Sequence, residues 1–330
     1  MLDNLVKLVL EKGGKLTPLK LPATETGGTG VCNPSIFIEA DGTILCNIRH
    51  VGYILYQSEN KQQFQNRWGP LAYLHPENDV NLRTNNYLCT LNRETLEVET
   101  YNKVDTSTLD TTPAWEFIGL EDGRVVRWAN RLYLTGVRRD TKPNGEGRME
   151  LSEVEYKDTE AIETSRYRIE TPETPNSYCE KNWMPINDME YSYVKWTNPT
   201  EVVQVDPITQ EYTTLIKKPF KELNIKKELR GGSSVVTWGE YRLCIVHEVD
   251  FWMNENNNKD SIYNHRIVVW DKDWNLVKTS EVFKFMTGRI EFVCGAAVLE
   301  GDLIVTFGFY DNAAYALRIP NVIVEELINA

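Results

Sequence analysis

Five segments of this chain show the same order of features: a short polar stretch, an apolar run of strand length, a turn, and further strand-like runs. Their sequences differ, so the repeat lies in the pattern and not in identical residues. The polar stretches occupy residues 33–35, 121–124, 180–183, 230–233 and 291–295. Each unit has room for about four short strands. A fold for this chain must therefore place five similar units in equivalent surroundings.

Five small sheets arranged around an axis meet this requirement. In such a β-propeller the innermost strands all begin on one face, so their polar starts gather at a central funnel. A two-sheet sandwich is the main alternative, but it gives no reason for five polar starts. The sequence therefore predicts an all-β, five-bladed β-propeller with a funnel-shaped site, formed by residues 1–330 as a single domain.

Two segments fall outside the five units. Residues 15–21 alternate like a strand, and Pro18 restricts that strand to the edge of a sheet, where it could complete the last blade and close the ring. Residues 57–83 are polar and lack clear periodicity, so we expect a long insertion there.

Composition and charge argue against several classes of function. The net charge is −12, with acidic residues spread along the chain, which argues against nucleic acid as a partner. No apolar stretch is long enough to span a membrane, and the first residues do not resemble a signal peptide, so we expect a cytoplasmic protein. The 6 cysteines and 4 histidines are too scattered to form a metal site. We therefore expect neither a metal nor an organic cofactor.

The segment from Glu121 to Arg124 combines two carboxylates and an arginine on one predicted loop. A cation beside two carboxylates can keep one of them ionised while the other, desolvated by a substrate, retains its proton. Such a pair would provide a general acid. The alternative is an ordinary turn in which Arg124 pairs with Glu121, and this segment alone does not decide between the two.

The order and spacing of several motifs resemble glycoside hydrolase family 130, which contains mannoside phosphorylases and β-1,2-mannosidases, and its mannosyltransferase relatives. These motifs lie at residues 119–124, 180–185, 230–233, 246–248, 263–265 and 307–311. The resemblance extends from about residue 33 to residue 320. It implies a five-bladed propeller that acts on a β-mannoside or a similar glycan, with Asp122 as the general acid. Gly123 stands where the family has proline, which predicts a more flexible loop.

The resemblance also implies which residues contact the substrate. Sugar contacts are implied for Asn33, Arg49 and Asp311. The polar strand starts and neighbouring motifs add five candidates for substrate binding, namely Glu121, Arg124, Asn182, Arg230 and His265. A phosphate site is implied at Lys181, His247 and Tyr263, together with an arginine near Arg139. The sequence leaves open that Lys181 instead lies over Trp183 and that His247 is a core residue.

The nucleophile decides which further groups are needed. If water attacks, a second carboxylate must activate it, and the candidate catalytic residues are Glu248 and Glu291. If inorganic phosphate attacks as a co-substrate, cations replace that base. The cations favour inverting phosphorolysis over hydrolysis, with an oligosaccharide or sugar phosphate as partner. Glycosyl transfer, a non-catalytic glycan-binding propeller in polysaccharide assembly, and homo-oligomer formation are left open.

Overall fold

The computed structural model contains 24 strands and three helices in the described part of the chain. The described residues are 2–28, 30–54, 64–66, 69–73, 82–157, 159–171, 179–219, 227–253 and 259–329. Most strands fall into five groups of four that follow one another along the sequence, and the three helices lie near the two ends of the chain. The chain is therefore almost entirely β.

The first half of the chain supplies two groups of strands. The elements before the first group are helix α1 (Leu5–Glu11), strand β1 (Lys15–Leu19) and helix α2 (Ala23–Thr26). The next strands are β2 (Val31–Ile38), β3 (Ile44–Val51), β4 (Tyr53–Ile54), β5 (Phe64–Asn66), β6 (Gly69–Tyr73), β7 (Leu82–Leu91), β8 (Val98–Asp105) and β9 (Phe117–Ile118). The second group is β10 (Leu120–Trp128), β11 (Arg131–Arg138), β12 (Arg148–Lys157) and β13 (Glu160–Arg168).

The second half supplies three more groups and the last helix. The third group is β14 (Met184–Pro185), β15 (Ser192–Trp196), β16 (Thr200–Val205) and β17 (Tyr212–Lys218). The fourth is β18 (Val236–Trp238), β19 (Tyr241–Met253), β20 (Lys259–Trp270) and β21 (Leu276–Thr279). The fifth is β22 (Glu291–Leu299), β23 (Asp302–Phe309) and β24 (Ala313–Ile319), and helix α3 (Asn321–Asn329) follows it.

Each group forms one antiparallel blade. Blade 1 is ordered β2-β3-β7-β8 and blade 2 is ordered β10-β11-β12-β13. Blades 3 and 4 have the orders β14-β15-β16-β17 and β18-β19-β20-β21. Blade 5 has the order β22-β23-β24-β1, so the N-terminal strand supplies its outermost position. The sequence places that strand at 15–21, and the structure gives Lys15–Leu19.

The blades close into a ring through contacts between neighbours. One buried apolar cluster fills each of the five interfaces between successive blades, including the interface between blades 5 and 1. Because the strands in the middle of a blade are covered on both faces, they are buried along almost their whole length, as β3, the second strand of blade 1, shows. These closed interfaces are the architecture of the predicted propeller, and they exclude the two-sheet sandwich.

Two features depart from the simple repeat. The outer strands of blades 1 and 2 pair in parallel over a short stretch, with Ala161 beside Val104, and this pairing joins the two blades into one sheet. Strands β4, β5 and β6 form a separate small sheet; β5 and β6 lie within the predicted insertion at 57–83, β4 lies just before it, and residues 82–83 begin β7. Residues 57–63, 67–68 and 74–81 of that insertion lie outside the described residues. No helix in the described part is both long and apolar enough to cross a membrane.

Candidate active site

The inner strands begin with irregular backbone. A β-bulge interrupts strands β2, β10 and β22 near their starts. Asn33, Asp122 and Asn182, which belong to the polar starts of blades 1, 2 and 3, all have positive φ, at 44°, 52° and 63°. This conformation is strained for residues with a side chain and is often kept where a side chain must point at a ligand. The strained backbone at these polar starts therefore indicates a role in ligand binding in addition to sheet pairing.

Asp122 lies at the centre of these starts. Its Oδ1 accepts hydrogen bonds from Asn33 Nδ2 at 2.8 Å and Arg49 Nη1 at 2.9 Å. Burial by itself would raise the pKa of Asp122, but the positive charges of Arg49 and then Lys181, together with the Asn33 hydrogen bond, outweigh it and hold the pKa below its ordinary value of 3.8. Asp122 is thus an ionised carboxylate in the unliganded site.

Hydrogen bonds from other blades fix the loop that carries Asp122. The carbonyl of Gly123 accepts from Ser35 Oγ at 2.9 Å and Asn47 Nδ2 at 2.8 Å. The carbonyl of Asp122 accepts from Cys294 Sγ at 3.6 Å. These bonds restrain the segment without a proline ring. The expectation of a flexible loop at Gly123 therefore needs correction, because donors from blades 1 and 5 hold it.

Arg124 is buried between blades 2 and 4, whereas the sequence predicted that it binds substrate. Only 1% of the residue is exposed, and its guanidinium donates to the carbonyls of Gly232 at 2.7 Å and Asp122 at 3.1 Å. Among the described residues it makes no hydrogen bond or ion pair with Glu121, so the simple turn pairing is wrong. Arg124 joins blade 2 to the start of blade 4. This position does not support the predicted sugar contact.

A second carboxylate, Asp311, faces the same site from the turn after β23. It is half-buried, and its carboxyl has no hydrogen bond or ion pair within the described part of the chain. Burial is the main cause that raises the pKa of Asp311; Arg49 and Lys181 lower it, whereas Asp122 and Glu121 raise it, with a net value of about 6. The pKa values of the two carboxyl groups are therefore shifted in opposite directions.

A third carboxylate, Glu121, lies close enough to influence several of these groups. Its charge raises the pKa values of Asp311, Lys181 and Tyr53. Glu121 Oε1 is buried and has no partner in the parts of the chain that are described. Three carboxylates thus act on the same group of side chains, and among the described residues neither Glu121 Oε1 nor the Asp311 carboxyl has a hydrogen-bond partner.

Lys181 is the cation that completes this opening. It is exposed to solvent, and it forms no ion pair among the described residues. Burial lowers the pKa of Lys181, but Cys179, Glu121 and Asp122 together raise it. The lysine that lies over the Trp183 ring is Lys195, at 5.1 Å, so the alternative position for Lys181 is wrong.

The other predicted phosphate ligands differ in their surroundings. Arg139 donates through Nε to the carbonyl of Gly145 at 3.1 Å. His247 is almost fully buried and stacks on Tyr263, with ring centres 5.4 Å apart. Burial above all, and then His265 and nearby cations, hold the pKa of His247 well below 6.5. His247 is therefore a neutral group, not the predicted cation.

The two predicted general bases are engaged elsewhere. Glu248 is buried and pairs with Arg266 at 2.5 Å. Glu291 is fully buried, and its carboxylate accepts the backbone N–H groups of Phe285, Met286 and Gly288 at 2.7–3.0 Å. Neither side chain is free to activate water. The structure thus does not bring these two candidates into the site.

Blade 4 contributes fewer residues to the candidate site than the sequence predicted. His265 is fully buried against Phe283 and Phe285, and burial lowers its pKa to about 3, so it lies in the core and not in the substrate site. Arg230 pairs with Glu228 at 3.1 Å and lies over the Phe251 ring. Of the substrate-binding candidates in this blade, Arg230 alone remains near the opening.

Two residues that hold the Arg49 side chain in position, Thr84 and Tyr53, were not predicted from the sequence. Thr84 Oγ1 accepts from two nitrogens of Arg49 at 3.2 and 3.3 Å, and Tyr53 Oη accepts from Nη2 at 3.3 Å. Thr84 lies at the start of β7 and Tyr53 in a two-residue strand, and neither belongs to a recognisable motif. The described residues contain no cluster of side chains suited to bind a metal ion.

Comparison with known proteins shows the class of the fold. No protein-family model and no curated protein matches the chain. The β-1,2-mannobiose phosphorylase from Listeria innocua, solved with β-1,2-mannobiose, superposes with a TM-score of 0.52 at 11% identity, covering 91% of this chain and 92% of that chain. The chain is thus a β-propeller of the kind found in carbohydrate-active proteins.

Two further solved structures have a similar fold. MPT-1, a GDP-Man-dependent mannosyltransferase from Leishmania mexicana, superposes with a TM-score of 0.51 at 13% identity, over 95% of this chain and 93% of that chain. A putative glycoside hydrolase from Parabacteroides distasonis gives 0.51 at 12% identity, over 88% and 86%. The resemblance to family-130 propellers is therefore confirmed for the fold, across nearly the whole chain.

Proposed function

We propose that this protein is an inverting carbohydrate-active enzyme that cleaves a β-mannoside-like glycosidic bond with inorganic phosphate as nucleophile. The observation that carries the proposal is the group of charged side chains at the polar strand starts, where Asp122 and Asp311, with pKa values shifted in opposite directions, influence and are influenced by Lys181, which forms no ion pair among the described residues. Inversion requires a proton donor on one side of the bond and a nucleophile on the other. Asp122, Asp311 and Lys181 provide groups for both tasks.

The choice of phosphate over water follows from which groups are available. Hydrolysis with inversion needs a base to activate water. The two predicted bases, Glu248 and Glu291, are occupied by an arginine and by three backbone N–H groups. A phosphate dianion needs cations instead, and Lys181 with the nearby Arg139 can bind its oxygens by charge-assisted hydrogen bonds. This contrast supports phosphorolysis.

Neutral His247 fits the same proposal in another way. A neutral imidazole has one donor and one acceptor nitrogen. His247 Nδ1 has no partner among the described residues, and the ring is fixed by stacking on Tyr263. In this proposal the neutral ring contributes one hydrogen bond to a phosphate oxygen and adds no charge. In the proposed phosphate site, the positive charge comes from Lys181 and Arg139, and His247 and Tyr263 are uncharged ligands.

The direct test is product analysis with a panel of β-mannosides, including β-1,2-mannobiose, in the presence and absence of phosphate. Sugar 1-phosphate formed only with phosphate supports the proposal. Free sugar formed equally without phosphate would identify a hydrolase. If neither product forms but a mannosyl donor such as GDP-mannose is consumed with an acceptor, the site is that of a transferase. Binding of mannosides without any turnover would identify a glycan-binding protein.

A variant pair tests the phosphate site itself. Lys181→Ala should raise the KM for phosphate by about tenfold or more, because a charge-assisted bond is lost, with a smaller effect on the sugar. Lys272→Ala is the matched control, since Lys272 is an exposed lysine in the turn after β20. Equal KM values for phosphate in the two variants would remove Lys181 from the phosphate site.

A further inference from the structure

The hairpin formed by β19 and β20 extends beyond its blade. β19 contains 13 residues, whereas β3, β11 and β23, the second strands of blades 1, 2 and 5, contain eight each. Because β19 runs antiparallel to β18, which follows the polar start of blade 4, it ends on the face of the propeller that carries the polar starts. We call this face the site face. Five additional residues at about 3.3 Å each lengthen the hairpin by about 16 Å.

The end of β19 is exposed although it is apolar. Its central part, residues 243–248, is buried, whereas Phe251, Trp252 and Met253 at its end are exposed. β19 and β20 remain paired along this extension, so the exposed side chains stand on a regular strand. Exposed apolar side chains that lie next to one another mark a binding surface. The extension therefore has the character of a site for a ligand or a partner.

Phe251 shares a side of the hairpin with two residues of the candidate phosphate site. Side chains alternate along a strand, so His247 and Phe251, four residues apart, point to the same side of β19. Tyr263 pairs opposite Val249 and therefore lies on this side as well. The two residues of β19 are about 13 Å apart along the strand, which places Phe251 farther out from the propeller than His247. Trp252, the next residue, points to the opposite side.

The side of the hairpin that carries Phe251 is turned towards the start of blade 5. His247 contacts the Phe292 ring, with ring centres 5.1 Å apart, and the Tyr263 ring centre lies 6.5 Å from that of Phe292. Phe292 belongs to β22, the inner strand of the blade that carries Asp311. A ligand that extends outwards from the candidate site between blades 4 and 5 therefore passes Phe251.

Arg230 adds hydrogen-bond donors beside Phe251. Its backbone exchanges two hydrogen bonds with His247, each 2.9 Å, so the residue is fixed at the base of the extension. Its guanidinium lies over the Phe251 ring, 5.5 Å from the ring centre, and pairs with Glu228 at 3.1 Å. A guanidinium has five N–H groups, more than this ion pair uses. Phe251 is 45% exposed, so the arginine leaves much of the residue accessible.

The candidate site is closed beneath Asp122. The Asp122 carbonyl accepts hydrogen bonds from Cys294 and Arg124, of which 0% and 1% are exposed. A sugar beside the Asp122 carboxylate must therefore carry its further sugars on the site face. Sugar rings present apolar C–H surfaces that pack on aromatic rings, and their hydroxyls accept hydrogen bonds from arginine. Phe251 and Arg230 provide both kinds of contact outside the reacting position.

We propose that Phe251 and Arg230 bind the leaving part of the substrate, which is the sugar chain on the far side of the cleaved bond from the attacked carbon. This inference rests on the function proposed above and adds that the substrate is an oligosaccharide with more than two sugars. An apolar face of one leaving sugar packs on the Phe251 ring, and Arg230 donates hydrogen bonds to its hydroxyls. Because the contact lies outside the reacting bond, its loss should raise KM more than it lowers kcat.

Chain-length kinetics test the assignment. KM and kcat are measured in phosphate for β-1,2-linked mannobiose, mannotriose and mannotetraose. In wild type, KM should be about two- to tenfold lower for the longest substrate than for the disaccharide, the size expected for one aromatic contact. Phe251→Ala should abolish this difference, and Phe251→Tyr should keep it because the ring is retained. No chain-length preference in wild type, or one that Phe251→Ala preserves, would overturn the inference.

Trp252→Ala is the matched control. Trp252 follows Phe251 on the same strand, is 37% exposed and also lies near an arginine, Arg289 at 5.9 Å, but it points to the opposite side of the hairpin. Trp252→Ala should keep the chain-length preference of wild type. Thermal unfolding followed by circular dichroism checks that both variants fold. Equal loss of the preference in the two variants would indicate a general disturbance of the hairpin and overturn the assignment to Phe251.

Calorimetry in the absence of phosphate separates binding from turnover. Wild type should bind β-1,2-mannotetraose about two- to tenfold more tightly than Phe251→Ala does, with a smaller difference for mannobiose. Equal affinity of the two proteins for mannotetraose would contradict the inference. Failure of the proposed function is distinguishable, because wild type would then cleave no β-mannoside, whereas the calorimetric comparison still reports whether Phe251 contacts the glycan.

A second copy of this chain is the other occupant that the experiments distinguish. Sedimentation velocity compares the oligomeric state of wild type with that of Phe251→Ala, and the same state is expected for both. A wild-type oligomer that dissociates in Phe251→Ala would assign this surface to a contact between subunits and overturn the inference.

Discussion

Replacing Asp311 with asparagine should make the protein more stable at neutral pH. Burial and two neighbouring carboxylates raise the pKa of Asp311 from 3.8 to about 6. A raised carboxyl pKa means that the folded protein holds the proton more tightly than the unfolded chain does. The cost of ionising Asp311 is therefore absent below about pH 3.8, grows as the pH rises, and is complete above about pH 6. Asparagine removes that cost.

The expected size follows from the shift. A change of roughly two units, at about 1.4 kcal/mol for each unit, corresponds to about 3 kcal/mol. Solvent reaches part of this half-buried group and screens its charge, so a gain of about 1–3 kcal/mol in the free energy of unfolding is expected above pH 6. Urea unfolding followed by tryptophan fluorescence, from about pH 4 to about pH 8, measures the gain.

Asp122→Asn is the matched control, because its effect has the opposite sign. The pKa of Asp122 is lowered, so its ionised form stabilises the folded state above pH 3.8 and this contribution is lost as the pH falls through the lower folded value. Asparagine at this position should destabilise the protein at neutral pH and have little effect in acid. A gain for Asp311→Asn that does not vary with pH, or a gain for Asp122→Asn, would refute the reasoning.

Three further variants test the framework of the site. Arg124→Met should lower the free energy of unfolding by about 2–4 kcal/mol, as measured in urea, because it leaves the buried carbonyl of Gly232 without its donor. Glu291→Gln should cost about 1–3 kcal/mol by the same measurement, since an amide oxygen cannot accept all three N–H groups, while kcat stays unchanged. Gly123→Ala should lower both the melting temperature and kcat, because its Cβ would lie 3.1 Å from Asn47 Nδ2.

The overall fold could be predicted because the propeller repeats one rule five times. A polar start followed by an apolar strand is visible without any knowledge of distant contacts, since both features are local. The edge position of β1 could be inferred from Pro18 for the same reason. The parallel pairing of Ala161 with Val104 could not be inferred, because it joins outer strands of two blades that carry no matching pattern.

The site was less predictable than the fold. Position at a strand start does not fix the direction of a side chain. Glu291 begins β22, yet its carboxylate turns back to cap three N–H groups of the preceding loop. His247 and Glu248 are successive residues of β19 and therefore point to opposite faces. Only His247 reaches the Lys181 side, whereas Glu248 pairs with Arg266.

The groups expected at residues 121–124 come instead from three blades. A cation lowers the pKa of one carboxyl, and burial raises the pKa of another. The cation is Arg49 of blade 1 and not Arg124, because the bulge in β10 turns Arg124 towards blade 4. The carboxyl with the raised pKa is that of Asp311 in blade 5. Since β1 completes blade 5, the strand that closes the ring also supports the sheet that presents Asp311 to Asp122. The spacing between the two carboxylates therefore depends on ring closure, which no single motif encodes.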